Sequence, residues 1–257
     1  MQQLTGAVFD FADFLSENAS KQYSRSHFYF SEVVSVDEEY DFDEKEWLEY
    51  PEECIQDDLK MQSQFRKMRF FGCACVRRVW HLLEDERAQK AVEVAERFAD
   101  GFLGEKELNE AHRLASEAVF DDDEETGNEV DATIYTTVEL LCEIDAVRWH
   151  PGDLASDNVR SLLVADPESE SKAQALLLHD IFGNPFRPVT FRTDWLTPTI
   201  TRLAQSAYED RRFDLLPILA DALEEAGCDN TDILDHCRTF PVHVRGCWVV
   251  DQILGKS

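Results

Sequence analysis

The sequence predicts a mainly α-helical protein, a multi-helix globule of packed helix pairs with one short strand or hairpin near its N-terminus. Three observations point that way. Apolar residues recur at three- and four-residue spacing along most of the chain. Capping and stop residues punctuate it at helical intervals. Alternating apolar and polar runs of the strand type are rare.

Taken in order, Asp85 can cap a helix through ERAQKAVEVAERFAD, which Gly101 stops. EKELNEAHRLASEAVF follows as a second helix. Asp166-Pro167 opens a third, ESESKAQALLLHDIF, ended by Gly183-Asn184-Pro185. Thr197-Pro198 opens a fourth through Tyr208. Asp214 can cap a fifth, with Pro217 tolerated in its first turn and Gly227 ending it. Asp229 or Asn230 starts a short sixth through Arg238. After Pro241 the chain reads as a last helix to Leu254. HFYFSEVVSV, residues 27–36, is the best strand candidate. DDDEETGNEVD, residues 121–131, reads as an acidic linker or exposed loop. The expected organisation is an acidic N-terminal segment over 1–58, a helical subdomain over 59–120, the linker, and a C-terminal helical subdomain over 132–257 packed on the first. No repeat of fixed period is present.

Composition narrows the function. A chain of 257 residues, 44% apolar and 11% aromatic, can bury a sizeable core. Its net charge of -28 repels nucleic acid phosphates and anionic membranes and favours basic partners or cations. The first residues, MQQLTGAVFDFAD, lack the cationic start of a secretory signal, and no apolar run reaches membrane-spanning length. Seven cysteines, scattered and odd in number, do not resemble a secreted disulfide framework. The expectation is a cytoplasmic protein with no membrane and no nucleic acid partner, whose cysteines are mostly small core residues.

Charge is sharply segregated near the N-terminus. Residues 37–58 hold twelve acids and one lysine, whereas residues 60–81 hold six basic residues and no acid. Wound as a helix, the second stretch puts Met61, Phe65, Met68, Cys75, Val76, Val79 and Leu83 on one stripe. Arg66, Lys67, Arg77 and Arg78 fall opposite. Those four could form a docking face for nucleic acid or an acidic partner. The plainer reading, and the favoured one, is an internal clamp, with the preceding acidic segment lying over the basic face.

DILDHCRTFPVHVRGCWVVD, residues 232–251, packs His236, Cys237, His243 and Cys247 into twelve positions. His236 and Cys237 are adjacent on a helix, so only one of them can face a given ion. On one continuous helix His243 and Cys247 would share a face. One of the first pair with both of the second makes three zinc ligands. A tetrahedral site needs a fourth, from protein or water; Cys73, Cys75 and His81 are candidates. A thiol active site would use Cys247 with His243 as base and Asp251 to orient it. The bland alternative is a buried core with no cofactor, in which Asp251 pairs with Arg187, Arg238 or Arg245. The sequence has no P-loop, GxGxxG, GxSxG or HExxH motif, and the acids at 121–125 lack EF-hand spacing. In DIFGNPFRPVTFRTDWLTP, Phe182, Phe186, Phe191 and Trp195 are expected to pin a proline-rigid loop onto the helices.

FGCACVRRVWHLLEDERAQKAVEVAERFADG, HDIFGNPFRPV, LPILADALEEAGCDNTDILDHCR and HVRGCWVVDQILGK resemble an uncharacterised, highly paralogous family of planctomycete bacteria. The resemblance covers about residues 60–120 and 172–256; the first 58 residues fall outside it. It implies no activity and carries no catalytic residue across. Val76 stands where a further cysteine is often found, and TFPVHVRGCW replaces a lead-in richer in glycine and proline, which weakens any metal scheme needing every family cysteine. The leading expectation is therefore a non-catalytic protein-interaction module with an unidentified, basic protein partner. The alternatives are a metal- or thiol-dependent enzyme built on His236, Cys237, His243 and Cys247, and an acidic mimic that occupies a basic partner.

Overall fold

A computed structural model of the chain describes residues 42–57, 64–121, 129–142, 151–162 and 167–256. The strand candidate at 27–36 and most of the acidic loop, residues 122–128, lie outside the described residues. Within the described residues the protein is mainly α, with twelve α-helices, three short 3₁₀ turns and no strand.

The helices are α1 (Glu44–Glu49), α2 (Pro51–Asp57), α3 (Phe65–Arg78), α4 (Glu86–Ala99), α5 (Glu105–Asp121), α6 (Glu129–Leu141), α7 (Pro151–Leu162), α8 (Pro167–Phe182), α9 (Pro198–Glu209), α10 (Leu216–Glu225), α11 (Thr231–Thr239) and α12 (Trp248–Leu254). Several ends are the ones the capping residues dictate. The Asp85 carboxylate accepts from the Arg87 amide and starts α4. Thr197 and Asn230 accept from amides three residues on and start α9 and α11. Gly101, Gly183 and Gly227 follow helix ends in the left-handed conformation. Asp214 departs from expectation: its carboxylate pairs with Arg212, so the chain passes through a 3₁₀ turn at Phe213–Leu215 and α10 starts without a side-chain cap.

Two helices come from the acidic segment. Asp43 and Glu46 form a reciprocal capping box at the head of α1. Trp47 is wholly buried, donates its indole N–H to the Gly183 carbonyl at 3.1 Å and meets the Phe182 ring edge-on. Phe42, Cys54 and Ile55 are buried with it. The described part of the acidic segment is thus anchored into the core.

The core has two adjoining clusters. The first runs from Phe42 to Ile181 and centres on α3; the second runs from Trp195 to Ile253 and gathers α9 to α12. Helix α3 packs on α7, α4, α8 and α6. Every residue from Met68 to Val76 is buried, including Arg69, which donates to the Leu141 carbonyl. The apolar stripe expected along one side of this helix is thus only part of its buried surface: α3 is the central post of the first cluster, and Arg66, Lys67, Arg77 and Arg78 lie at its two ends.

Those charges are taken up by acids far away in sequence. Arg77 pairs with Glu96 at 2.7 Å, and Arg78 with Glu170 at 2.7 Å. Arg66 grips Asp251 on α12 and Asp100 after α4. Among the described residues, then, the basic groups of α3 are clamped by Glu96, Asp100, Glu170 and Asp251 and by no acid of 42–57. Glu44 in that segment bonds instead to Arg187 and Asn184. Glu96 is held from both clusters, by Arg77 on one side and Arg211 on the other.

Burial alone would raise the Glu96 carboxyl, but the hydrogen bonds and charges of Arg77 and Arg211 outweigh it and hold its pKa below the ordinary value. A depressed folded-state pKa gives stability that is present above the unfolded value of about 4.3 and lost as pH falls through the folded one. The stability gap between wild type and Glu96→Gln is accordingly expected to be full at pH 7 and to shrink below about pH 4, in urea melts across that range. A gap independent of pH would count against this role for Glu96.

A candidate metal centre at the junction of α8, α11 and the turn before α12

Asp180 lies near the end of α8, in an apolar run, LLLHDIF, that faces inward. A carboxylate without solvent has to find partners, and it finds two imidazoles. Its Oδ1 is 2.7 Å from His243 Nδ1 and 3.0 Å from His236 Nε2. Its Oδ2 accepts the Val244 amide N–H at 2.8 Å, which fixes the plane of the carboxylate. Burial pushes the Asp180 carboxyl up, but hydrogen bonds from both histidines more than offset this and hold it below the ordinary carboxylate value.

Cys247 closes the group. Its Sγ is 3.3 Å from His236 Nε2 and 3.8 Å from His243 Nδ1. One donor atom from each of Asp180, His236, His243 and Cys247 lies within 4.8 Å of all the others. Asp180 and Cys247 are both 0% exposed. His236 is packed between the Phe240 ring, stacked at 4.8 Å between centroids, and Trp248 at 5.2 Å. Burial drives the Cys247 thiol far above its ordinary pKa, and the Asp180 charge adds to that. Without a metal it is a neutral, poorly nucleophilic thiol.

The local backbone differs from the sequence expectation in one decisive way. The last helix begins at Trp248, not after Pro241, and Cys247 is its N-cap. Residues 240–247 form an irregular lead-in with a turn at 245–246. His243 and Cys247 thus meet across a turn rather than along a helical face. Gly246 makes the turn: its φ is +96°, and a Cβ there would sit 3.2 Å from the Phe70 side chain. Gly183, at φ +70°, closes α8 with its Cα facing the Trp248 ring, 3.1 Å from where a Cβ would stand. Gly246→Ala is expected to cost about 1–3 kcal/mol from backbone strain. A denaturant melt would check this, and an unchanged midpoint would contradict it.

The four residues singled out in the sequence are not the four that meet. His236, His243 and Cys247 converge, while Cys237 points elsewhere, into the second cluster, where burial pushes its thiol up to about 12. Adjacent positions on α11 diverge by about 100°, so His236 and Cys237 cannot share the site. None of Cys73, Cys75 and His81 joins the cluster; its fourth member is Asp180. Asp251, considered as an orienting carboxylate for the thiol, is bonded to Arg66 instead, not to the arginines first considered. A charged residue inside an apolar helical run was the signal that could have named Asp180.

The donor set suits a divalent ion of the zinc type. Bonds of about 2.0 Å to nitrogen or oxygen and 2.3 Å to sulfur put tetrahedral ligands about 3.3 Å apart, or about 3.6 Å when one is sulfur. The two sulfur–imidazole distances, 3.3 and 3.8 Å, bracket that value. The two carboxylate–imidazole distances, 2.7 and 3.0 Å, are shorter by a few tenths of an ångström and would open on binding, while the full set, which spreads over up to 4.8 Å, would contract. Two neutral imidazoles, one carboxylate and one thiolate also cancel a charge of +2, which a buried site requires. Comparison with protein-family models, with curated proteins and with solved structures finds no match for this chain.

Proposed function

We propose that this protein is a non-catalytic binding module whose C-terminal half is fastened by a structural zinc ion held by Asp180, His236, His243 and Cys247. One observation carries the reading: four donors of the right kinds, drawn from α8, α11 and the turn before α12, lie within 4.8 Å of one another in a buried place. With four protein donors the tetrahedron is full, the mark of a structural zinc site; catalytic sites keep a position for water or substrate. The ion would tie α8, from the first cluster, to α11 and α12 of the second. A role as an acidic mimic has less support, because Trp47, Cys54 and Ile55 embed the described part of the acidic segment in the core. Among the described residues no helix is long and apolar enough to cross a membrane.

Native mass spectrometry with metal analysis tests the proposal. One zinc per chain is expected, lost in Cys247→Ser and Asp180→Asn and kept in Cys237→Ser. Cobalt should replace it with the absorption of a tetrahedral ion bearing one thiolate. A folded chain that takes up neither metal would sink the reading.

A further inference from the structure

A cleft of about 1040 Å³ lies where the two clusters meet, lined by α3 and α8 on one side and by α11 and α12 on the other. It is at the large end of the range for small-molecule sites, and such sites favour junctions of this kind. Its walls carry a surplus of aromatic surface. Phe65 is 46% exposed, and Phe182, Phe240 and Trp248 also face the space.

Four cations line the cleft, and three are committed. Arg66 holds Asp251 and Asp100, Arg187 holds Glu44, and Lys256 reaches Asp100 at 3.4 Å. Among the described residues Lys67 makes no hydrogen bond and no ion pair within 4 Å; its Nζ lies over the Phe182 ring, 5.4 Å from the centroid. Burial lowers the proton affinity of this amine, and the charge of Asp251, which is itself bonded to Arg66, offsets this only in part, so the amine stands partly desolvated beside an aromatic wall with no direct anionic partner. In a chain of net charge -28 a lysine with no directly bonded carboxylate in such a place is the feature that calls for an anion.

The surroundings limit what that anion can be. Glu44, Asp232, Asp235 and Asp251 also border the cleft, so a dianion such as a phosphate monoester would meet one free cation and several carboxylates. A single negative charge is matched. The aromatic walls ask for an apolar body attached to it. We propose that this cleft binds a small organic monocarboxylate, with its carboxylate on Lys67 and its apolar body against Phe65, Phe182 and Trp248.

The test is calorimetric titration of the full chain with 4-phenylbutyrate and with its uncharged amide. A parallel pair of short peptides ends in phenylalanine, one with a free C-terminus and one amidated. The acid is expected to bind about tenfold or more tightly than the amide, the size of one charge-assisted hydrogen bond in a partly dry site. Lys67→Met should erase that difference and Lys67→Arg should keep most of it, with both variants checked for unchanged melting. The acid–amide comparison on the unaltered protein stands even if Lys67→Met fails to fold. Equal binding of acid and amide would overturn the proposal, as would a preference that survives Lys67→Met. Carboxylate dependence in the peptides alone would overturn it too, assigning the cleft to polypeptide termini instead.

Discussion

With zinc held at the proposed site, a chelator is expected to lower the thermal midpoint of the full chain by about 10 °C without unfolding it at room temperature. An ion present at about a thousand times its dissociation constant stabilises the native state by about 4 kcal/mol. In a domain of this size each kilocalorie shifts the midpoint by about 2–4 °C. The metal-free chain should still fold, unlike a zinc finger, because two hydrophobic clusters do not depend on the ion. Without the ion Asp180 is still satisfied, by His236, His243 and the Val244 amide. Scanning calorimetry with and without chelator, followed by back-titration with zinc, measures the effect. Asp180→Asn and Cys247→Ser should melt at one temperature whatever the zinc concentration. A wild-type midpoint that ignores both chelator and zinc would reduce the cluster to a satisfied hydrogen-bond network.

Much of the fold was legible because helix ends are written locally. Asp85, Thr197 and Asn230 each cap the helix that follows them, and Gly101, Gly183 and Gly227 each end one. What was not legible depended on partners remote in sequence. The charges of α3 look like a surface stripe until Glu96, Glu170 and Asp251 are brought against them. The segment around Trp47 reads as an acidic cover for the basic helix, since its one large apolar anchor is outnumbered by acids; packing against Gly183 and Phe182 makes it core. At the candidate metal centre, counting histidines and cysteines found three of four donors. It missed Asp180 because that residue lies 56 positions before His236, and it assumed a helix where Gly246 turns the chain.

Replacing Arg66 with methionine is expected to destabilise the protein by about 3–5 kcal/mol, the usual result of breaking a buried ion pair from one side. Arg66 donates to Asp251 at 2.5 and 3.1 Å, to Asp100 at 3.1 and 3.3 Å, and to the Tyr208 hydroxyl at 2.9 Å. It sits at the head of α3 in the first cluster, whereas Asp251 and Tyr208 belong to α12 and α9, so one guanidinium joins both halves. Even with Arg66 present, burial raises the Asp251 carboxyl above its ordinary pKa, more than the arginine lowers it. Without the arginine the folded-state pKa rises further, and protonation then favours the folded state. The destabilisation of Arg66→Met relative to wild type should therefore shrink as pH falls through that raised value and be largest near neutrality. Urea melts at pH 7 and pH 5 would show the two differing in that order. Adding Asp251→Asn to Arg66→Met should recover part of the loss, because the buried charge that the arginine neutralised is removed with it. If the double variant is as unstable as the sum of the single ones, Arg66 acts through its packing on Phe70, 4.8 Å from the ring centroid, and not through its charge.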